Sequence, residues 1–210
     1  MDIVNAQELE HMLNTSTKVT KEIRLLYNDK KALQVLNSFV VLAGGNIDKY
    51  LAVKLMYLFE REMLLRTGTP SLFGRLCSIP FGPIISEIND AVDSTEISAL
   101  PYHDNIWQKH FSLKGNVLTS INDNLGNELL SNFEDDLIAE LFSEFHSYSF
   151  EKLKKYTHTL PEHTETNSRI DIGYYDFFIK NGFSKDESEK LIQEIGYQVF
   201  FHNAMLKNAK

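Results

Sequence analysis

The chain has 210 residues, 43% of them apolar and 24% charged, with 14 Phe and 9 Tyr. That composition suits one folded domain with a sizeable core and excludes a disordered chain. A net charge of −8 disfavours a grip on phosphate backbones, so no direct nucleic-acid binding is expected.

Cys77 is the one cysteine, which excludes an internal disulfide framework, suits a reducing compartment and reads as a small buried hydrophobe. The opening residues "MDIVNAQELEHML" carry no basic region followed by an apolar run, and "SFVVLAGG" is too short to cross a bilayer. The expectation is a cytoplasmic protein without membrane association.

Taken in chain order, residues 1–30 read as an N-terminal helical extension and 31–205 as the main domain. "TKEIRLLYNDKKALQVL" reads as one extra helix running into the core, and "DKKALQVLNSFVVLAGG" as a helix stopped by Gly44-Gly45. "IDKYLAVKLMYLFEREMLLRTG" follows and ends at Gly68. Its apolar residues cover so wide a surface that a central helix, packed on several sides, is predicted. In "CSIPFGPIISEINDAV", Pro80 and Pro83 fix φ and Gly82 frees it, a stiff corner. Pro83 is then placed to open an amphipathic helix buried through Ile84, Ile85, Ile88, Ala91 and Val92.

"WQKHFSLKGNVLTSI" alternates as a strand does and predicts a β-hairpin near 107–121 with a Gly115-Asn116 turn. A third long helix is expected from Phe133, with Ser131 and Glu134 spaced as a capping box. A shorter helix follows Ser149, and a last one follows Ser184, again three residues before a glutamate, Glu187. The predicted fold class is mainly α, a compact multi-helix domain with one small β-hairpin.

Phosphate loops, HExxH pairs and GxSxG elbows are absent from the sequence. The best metal-like cluster, "THTLPEHTET", offers His158, Glu162, His163 and Glu165. A proline separates the histidines, however, and nothing in the spacing puts them on one face, so no metal site is assigned. No catalytic residue and no cofactor is assigned either, and the chain reads as a non-enzyme. Lys54, Tyr57 and Arg61 share a face of the most apolar helix. There Lys54 either snorkels, pairs with a carboxylate, or belongs to a presented functional stripe. Between Lys114 and Lys152 there is no Lys or Arg, while Asp123, Glu128, Glu134, Asp135, Asp136, Glu140, Glu144 and Glu151 all fall there. Two readings stay open, a solvated helix face and an acidic surface that steers a basic partner.

Residues 48–92 resemble the core of the Panacea domain of SocA-like antitoxins through Lys54, Tyr57 and Leu58, then Gly68 and Pro70, then Gly82-Pro83. Ser149, Leu153, Thr157 and His158 continue the resemblance, and "GYYDFFIKNGFSKDESEKLIQEI" is similar to the family's closing helices. The similarity covers residues 30–200. Two features depart from it. Pro161, Glu162 and His163 stand where many relatives carry a tryptophan, and the residues before the core are too few for a separate DNA-binding module. The resemblance implies an antitoxin that neutralises a cognate toxin, encoded by a neighbouring gene, by direct binding. Delivery of the toxin to a protease is an implied variant, and homo-oligomerisation is left open. The expected partner-binding residues are Lys54, Tyr57, Arg61, Gly82, Pro83, Glu140, Glu144 and His158. The alternative is a small-molecule-binding enzyme with a pocket around Tyr57, Arg61 and His158.

Overall fold

The computed structural model describes residues 26–93, 106–121 and 125–208. The greater part of the expected N-terminal extension and Asp123 therefore lie outside the described residues. Helix α1, Asp29–Leu42, starts where the Asn28 side chain accepts the Lys31 N–H at 3.1 Å. That cap means the helix does not run on unbroken from the preceding segment. Gly44 and Gly45 adopt φ of 78° and 93° and end it, as their spacing predicts.

Strand β1, Asn46–Asp48, leads into α2, Lys49–Thr67, capped by the Asp48 carboxylate and closed by Gly68 in the left-handed region. Every residue of α2 from Ala52 to Arg61 is buried, so the helix has no solvent face along this run. It packs on α1, on β3, Ile84–Ile85, on α3, Ser86–Asp93, on α5, Asn132–Phe145, and on α6, Phe150–His158. Each fully buried Leu, Phe or Met contributes about 1.5–3 kcal/mol before entropy is counted, and this helix holds the largest share of them. The wide apolar surface of the sequence is thus the signature of a central helix.

The fold is mainly α, with eight helices among the described residues. The strands correct the expectation of a single hairpin, because there are two three-stranded antiparallel sheets. In the first, β4, Phe111–Lys114, and β5, Val117–Ser120, form the expected hairpin around Gly115-Asn116, and β1 joins β5 with Ile47 opposite Leu118. The hairpin begins later than predicted. Trp107 sits in the short helix α4, Ile106–His110, where it is buried and its indole N–H donates to Asp29 at 3.1 Å.

The second sheet is ordered β3-β2-β6, with β2 Leu76–Ser78 and β6 Ile170–Asp171. It takes Ile84 and Ile85 out of the predicted helix. They pair with Cys77 and Leu76, and the Ser86 N–H donates to the Arg75 carbonyl at 2.8 Å, so α3 opens at Ser86 rather than at Pro83. Cys77 is buried in β2, where burial pushes its thiol up to about 12.

The capping box of Ser131 and Glu134 is present at α5, Ser149 caps α6, and Ser184 and Glu187 cap each other's backbone at α8, Lys185–Asn208. Helix α7, Tyr174–Lys180, packs against α8.

Gly68 holds φ at 72°, and a Cβ there would lie 2.4 Å from Leu191 Cδ2. Gly68→Ala should therefore cost about 1–2 kcal/mol through the left-handed backbone alone. A urea titration should show it as a lower midpoint at unchanged slope.

Candidate functional site

The site is built on α2. Residues 54, 57 and 61 fall on one helical face, and that face looks onto the end of α6 and the loop that follows it. Glu162, fully buried, is the hinge of this contact. Its Oε1 accepts from Tyr57 Oη at 2.8 Å and from Arg61 Nε at 2.8 Å, and its Oε2 accepts from Asn181 Nδ2 at 3.0 Å. Arg61 donates its remaining nitrogens to Asn181 Oδ1 at 2.9 Å and Glu62 Oε1 at 2.9 Å. Burial works against the charged guanidinium, but the Glu162 and Glu62 carboxylates outweigh it and hold Arg61 above its usual value. Burial, with Glu162 alongside, pushes the Tyr57 phenol well up, so it stays a donor.

Lys54 does not snorkel to water and pairs with no carboxylate among the described residues. Its Nζ is buried and donates to the Pro83 carbonyl at 2.8 Å, and burial pulls its pKa down to about 7. The corner it grips is a turn between β2 and β3. The Gly82 N–H donates to the Ile79 carbonyl at 2.9 Å, with Gly82 at φ 91°. A Cβ on Gly82 would meet Thr157 Oγ1 at 2.6 Å and both Lys54 Nζ and His158 Cδ2 at 3.3 Å. Backbone conformation and close approach both require glycine here. The Glu165 carboxylate accepts from His158 Nδ1 at 2.6 Å, and the His158 ring lies 4.5 Å from that of His163. Burial, then the neighbouring His158, hold His163 below its usual value.

A groove of about 770 Å³ opens beside this seam, lined among others by Tyr50, Lys54, Ile79, Phe81, Tyr148 and Phe150. Tyr50 Oη donates to the Phe81 carbonyl at 2.7 Å, and the Tyr50 and Phe150 rings stand 4.4 Å apart. Phe81 and Phe150 are 52% and 44% exposed, so an aromatic rim faces solvent. The ammonium groups of Lys152 and Lys154 lie over the Tyr148 and Phe81 rings.

Six expected residues, Lys54, Tyr57, Arg61, Gly82, Pro83 and His158, therefore meet in one seam. Glu140 and Glu144 lie apart from it on α5. Arg66 grips Glu140 with two nitrogens at 2.8 and 2.5 Å, and Glu134 is buried against Lys31 at 2.7 Å. The acidic stretch is thus partly neutralised by cations from α1 and α2. The sequence marks Glu162 only as a member of the metal-like cluster and of the departure at residues 161–163, and gives no signal for Asn181 or the aromatic groove. A Pro-Glu pair after Thr-His looks like a solvated turn until the fold closes over it. The expected enzyme pocket around Tyr57, Arg61 and His158 is not where the groove lies, and Tyr57 and Arg61 are engaged by Glu162.

The family model described as antitoxin SocA-like, Panacea domain matches residues 53–163. The chain belongs to this family. The match begins on α2 and ends at His163, so it spans the seam, the Gly82-Pro83 corner and most of the groove lining. No curated protein and no solved structure matches the chain significantly.

Glu162→Gln removes the counter-charge from a buried guanidinium and should destabilise the fold by about 3 kcal/mol in urea denaturation. Replacing Arg61 and Glu162 together by Met should recover most of that loss. Lys54 makes a separate prediction. Between about pH 7 and the pKa of an unfolded lysine, 10.5, the unfolded chain binds more protons than the folded one at this site. Stability should therefore rise with pH across that window, by on the order of 1 kcal/mol per pH unit. Lys54→Met should flatten the rise when unfolding is followed at several pH values.

Proposed function

We propose that the chain is an antitoxin that neutralises a cognate toxin, encoded by a neighbouring gene, by direct protein–protein binding. The family match over residues 53–163 carries this reading, because it coincides with the segments that build the seam and groove. The partner is a protein, and no nucleic-acid contact is invoked. No helix among the described residues is long and apolar enough to cross a membrane.

The aromatic groove is the proposed contact surface. Exposed Phe81 and Phe150 supply anchors of the type that dominates interface energetics. Lys54, Tyr57, Arg61, Gly82, Pro83 and His158 act from behind, by fixing the corner and α6 in place. On α5, exposed Glu144 leads an acidic face that steers a basic toxin surface. Glu140, already paired with Arg66, adds less. Blocking the toxin's own working surface is the simpler mechanism, and delivery to a protease is its variant. A small-molecule reading has one observation in its favour, the groove volume. A metabolite that raised the melting temperature would support it.

Cells inducing the neighbouring reading frame alone should die, and cells co-expressing this chain should survive. Phe81→Ala with Phe150→Ala should keep the far-UV spectrum but weaken co-purification by about 30-fold, the loss expected of a hot-spot pair. Rescue kept by that variant but lost with Glu140→Lys and Glu144→Lys would move the interface to α5. Survival with falling toxin levels would indicate delivery to a protease, and survival at constant levels occlusion. A harmless neighbour, or one that kills regardless, would defeat the antitoxin reading.

A further inference from the structure

We propose that His158, His163 and Glu165 form a binding site for a divalent transition-metal ion, with Zn²⁺ the ion their donors fit best. One ligand-capable atom from each lies within 4.8 Å of the others. His158 Nδ1 is 2.6 Å and His163 Nε2 is 3.8 Å from the same oxygen, Glu165 Oε1. Bonds of about 2.0–2.2 Å to a tetrahedral ion place donors roughly 3.5 Å apart. The Glu165 side chain, 74% exposed, has room to turn towards that geometry.

The second observation is independent of that spacing. The His163 side chain is 2% exposed, yet neither of its ring nitrogens has a hydrogen-bond partner among the described residues. Buried polar atoms are rarely left so, and an imidazole lone pair directed at a metal would be satisfied. The backbone is prepared for it as well. The His163 N–H donates to the Leu160 carbonyl at 3.0 Å, which folds the loop back onto the end of α6. On one side of His163 the Glu162 carboxylate is held by Tyr57 and Arg61, and on the other the Thr164 N–H donates to Ser78 Oγ at 3.0 Å. The ring is thereby positioned by contacts that do not involve the metal donors.

Two imidazoles and a carboxylate suit Zn²⁺, Co²⁺ or Ni²⁺, and are too rich in nitrogen for Ca²⁺ or Mg²⁺. Three protein ligands leave a fourth position on the exposed Glu165 side, open to water or to a side chain of a binding partner. Glu162, on the same loop, takes no part because its oxygens face the α2 seam. A bound ion would tie the loop to α6 beside the Gly82 corner.

The full-length chain, stripped with a chelator and titrated with ZnCl₂ by calorimetry, should bind one equivalent and melt at a higher temperature with the ion present. Co²⁺ in its place should give the visible absorption of a low-coordinate ion. Glu165→Ala, at an exposed position, should leave the metal-free melting temperature unchanged. It should weaken Zn²⁺ binding by more than the about 10-fold that even an outer-shell change can cost. His158→Gln, measured in parallel, should weaken it as well. The absence of saturable one-to-one binding would overturn the proposal. So would equal affinity in wild type and both variants, since the ion would then sit on other histidines.

Discussion

A helix buried on every side cannot keep its polar residues in water, and this constraint organises the molecule. Between Ala52 and Arg61, α2 has no exposed position, yet it carries Lys54, Glu60 and Arg61. Each buried charge needs a partner brought from elsewhere. Lys54 takes the Pro83 carbonyl, and Arg61 takes Glu162. Glu60 accepts the backbone N–H groups of Ser71, Leu72 and Phe73 at 2.8–2.9 Å, and burial pushes its carboxyl up to about 7. Three loops are thus tied to one helix by three polar grips. The Glu60 grip coincides with Phe73 at φ 57°, a left-handed conformation rare for a bulky residue. A carboxylate collecting three successive N–H groups is a physical reason for the chain to hold that shape.

The consequence for the proposed contact surface is pre-organisation. The corner that Lys54 holds is the same one whose Phe81 carbonyl receives Tyr50, so Phe81 projects at the rim from a backbone fixed at two points. A surface already in its bound shape loses less entropy on association. The grips also connect to the exterior. Arg61 contacts Glu62, Glu62 contacts Arg66, and Arg66 contacts Glu140 on α5. This line of alternating charge runs from the buried seam to an exposed helix.

The loop after α6 divides its labour between consecutive residues. Glu162 turns inward to complete the α2 seam, and His163 turns towards His158 and Glu165. The His163 ring carries two nitrogens that the described residues around it leave without a hydrogen bond.

Much of the helical framework was legible because its causes are local. Ser131 and Glu134 cap α5 through atoms three residues apart, Gly68 ends α2 because it tolerates a positive φ, and the Gly115-Asn116 turn closes a hairpin of neighbours. The all-round apolar surface of α2 correctly marked a central helix. Lys54, Tyr57 and Arg61 were legible as one face, and Gly82-Pro83 as a rigid corner, though not as the link between two strands. The second sheet was invisible, since strands of two or three residues show no alternation and Cys77 pairs with Asp171, 94 residues away. Glu162 was equally hidden, because its role depends on Arg61, 101 residues away, and on the exclusion of water around both. By itself, then, the sequence determined where most helices begin and end and which faces are apolar. The tertiary structure alone decided which buried charge meets which partner, because that choice rests on distance in space and on local desolvation, neither of which a window of sequence contains.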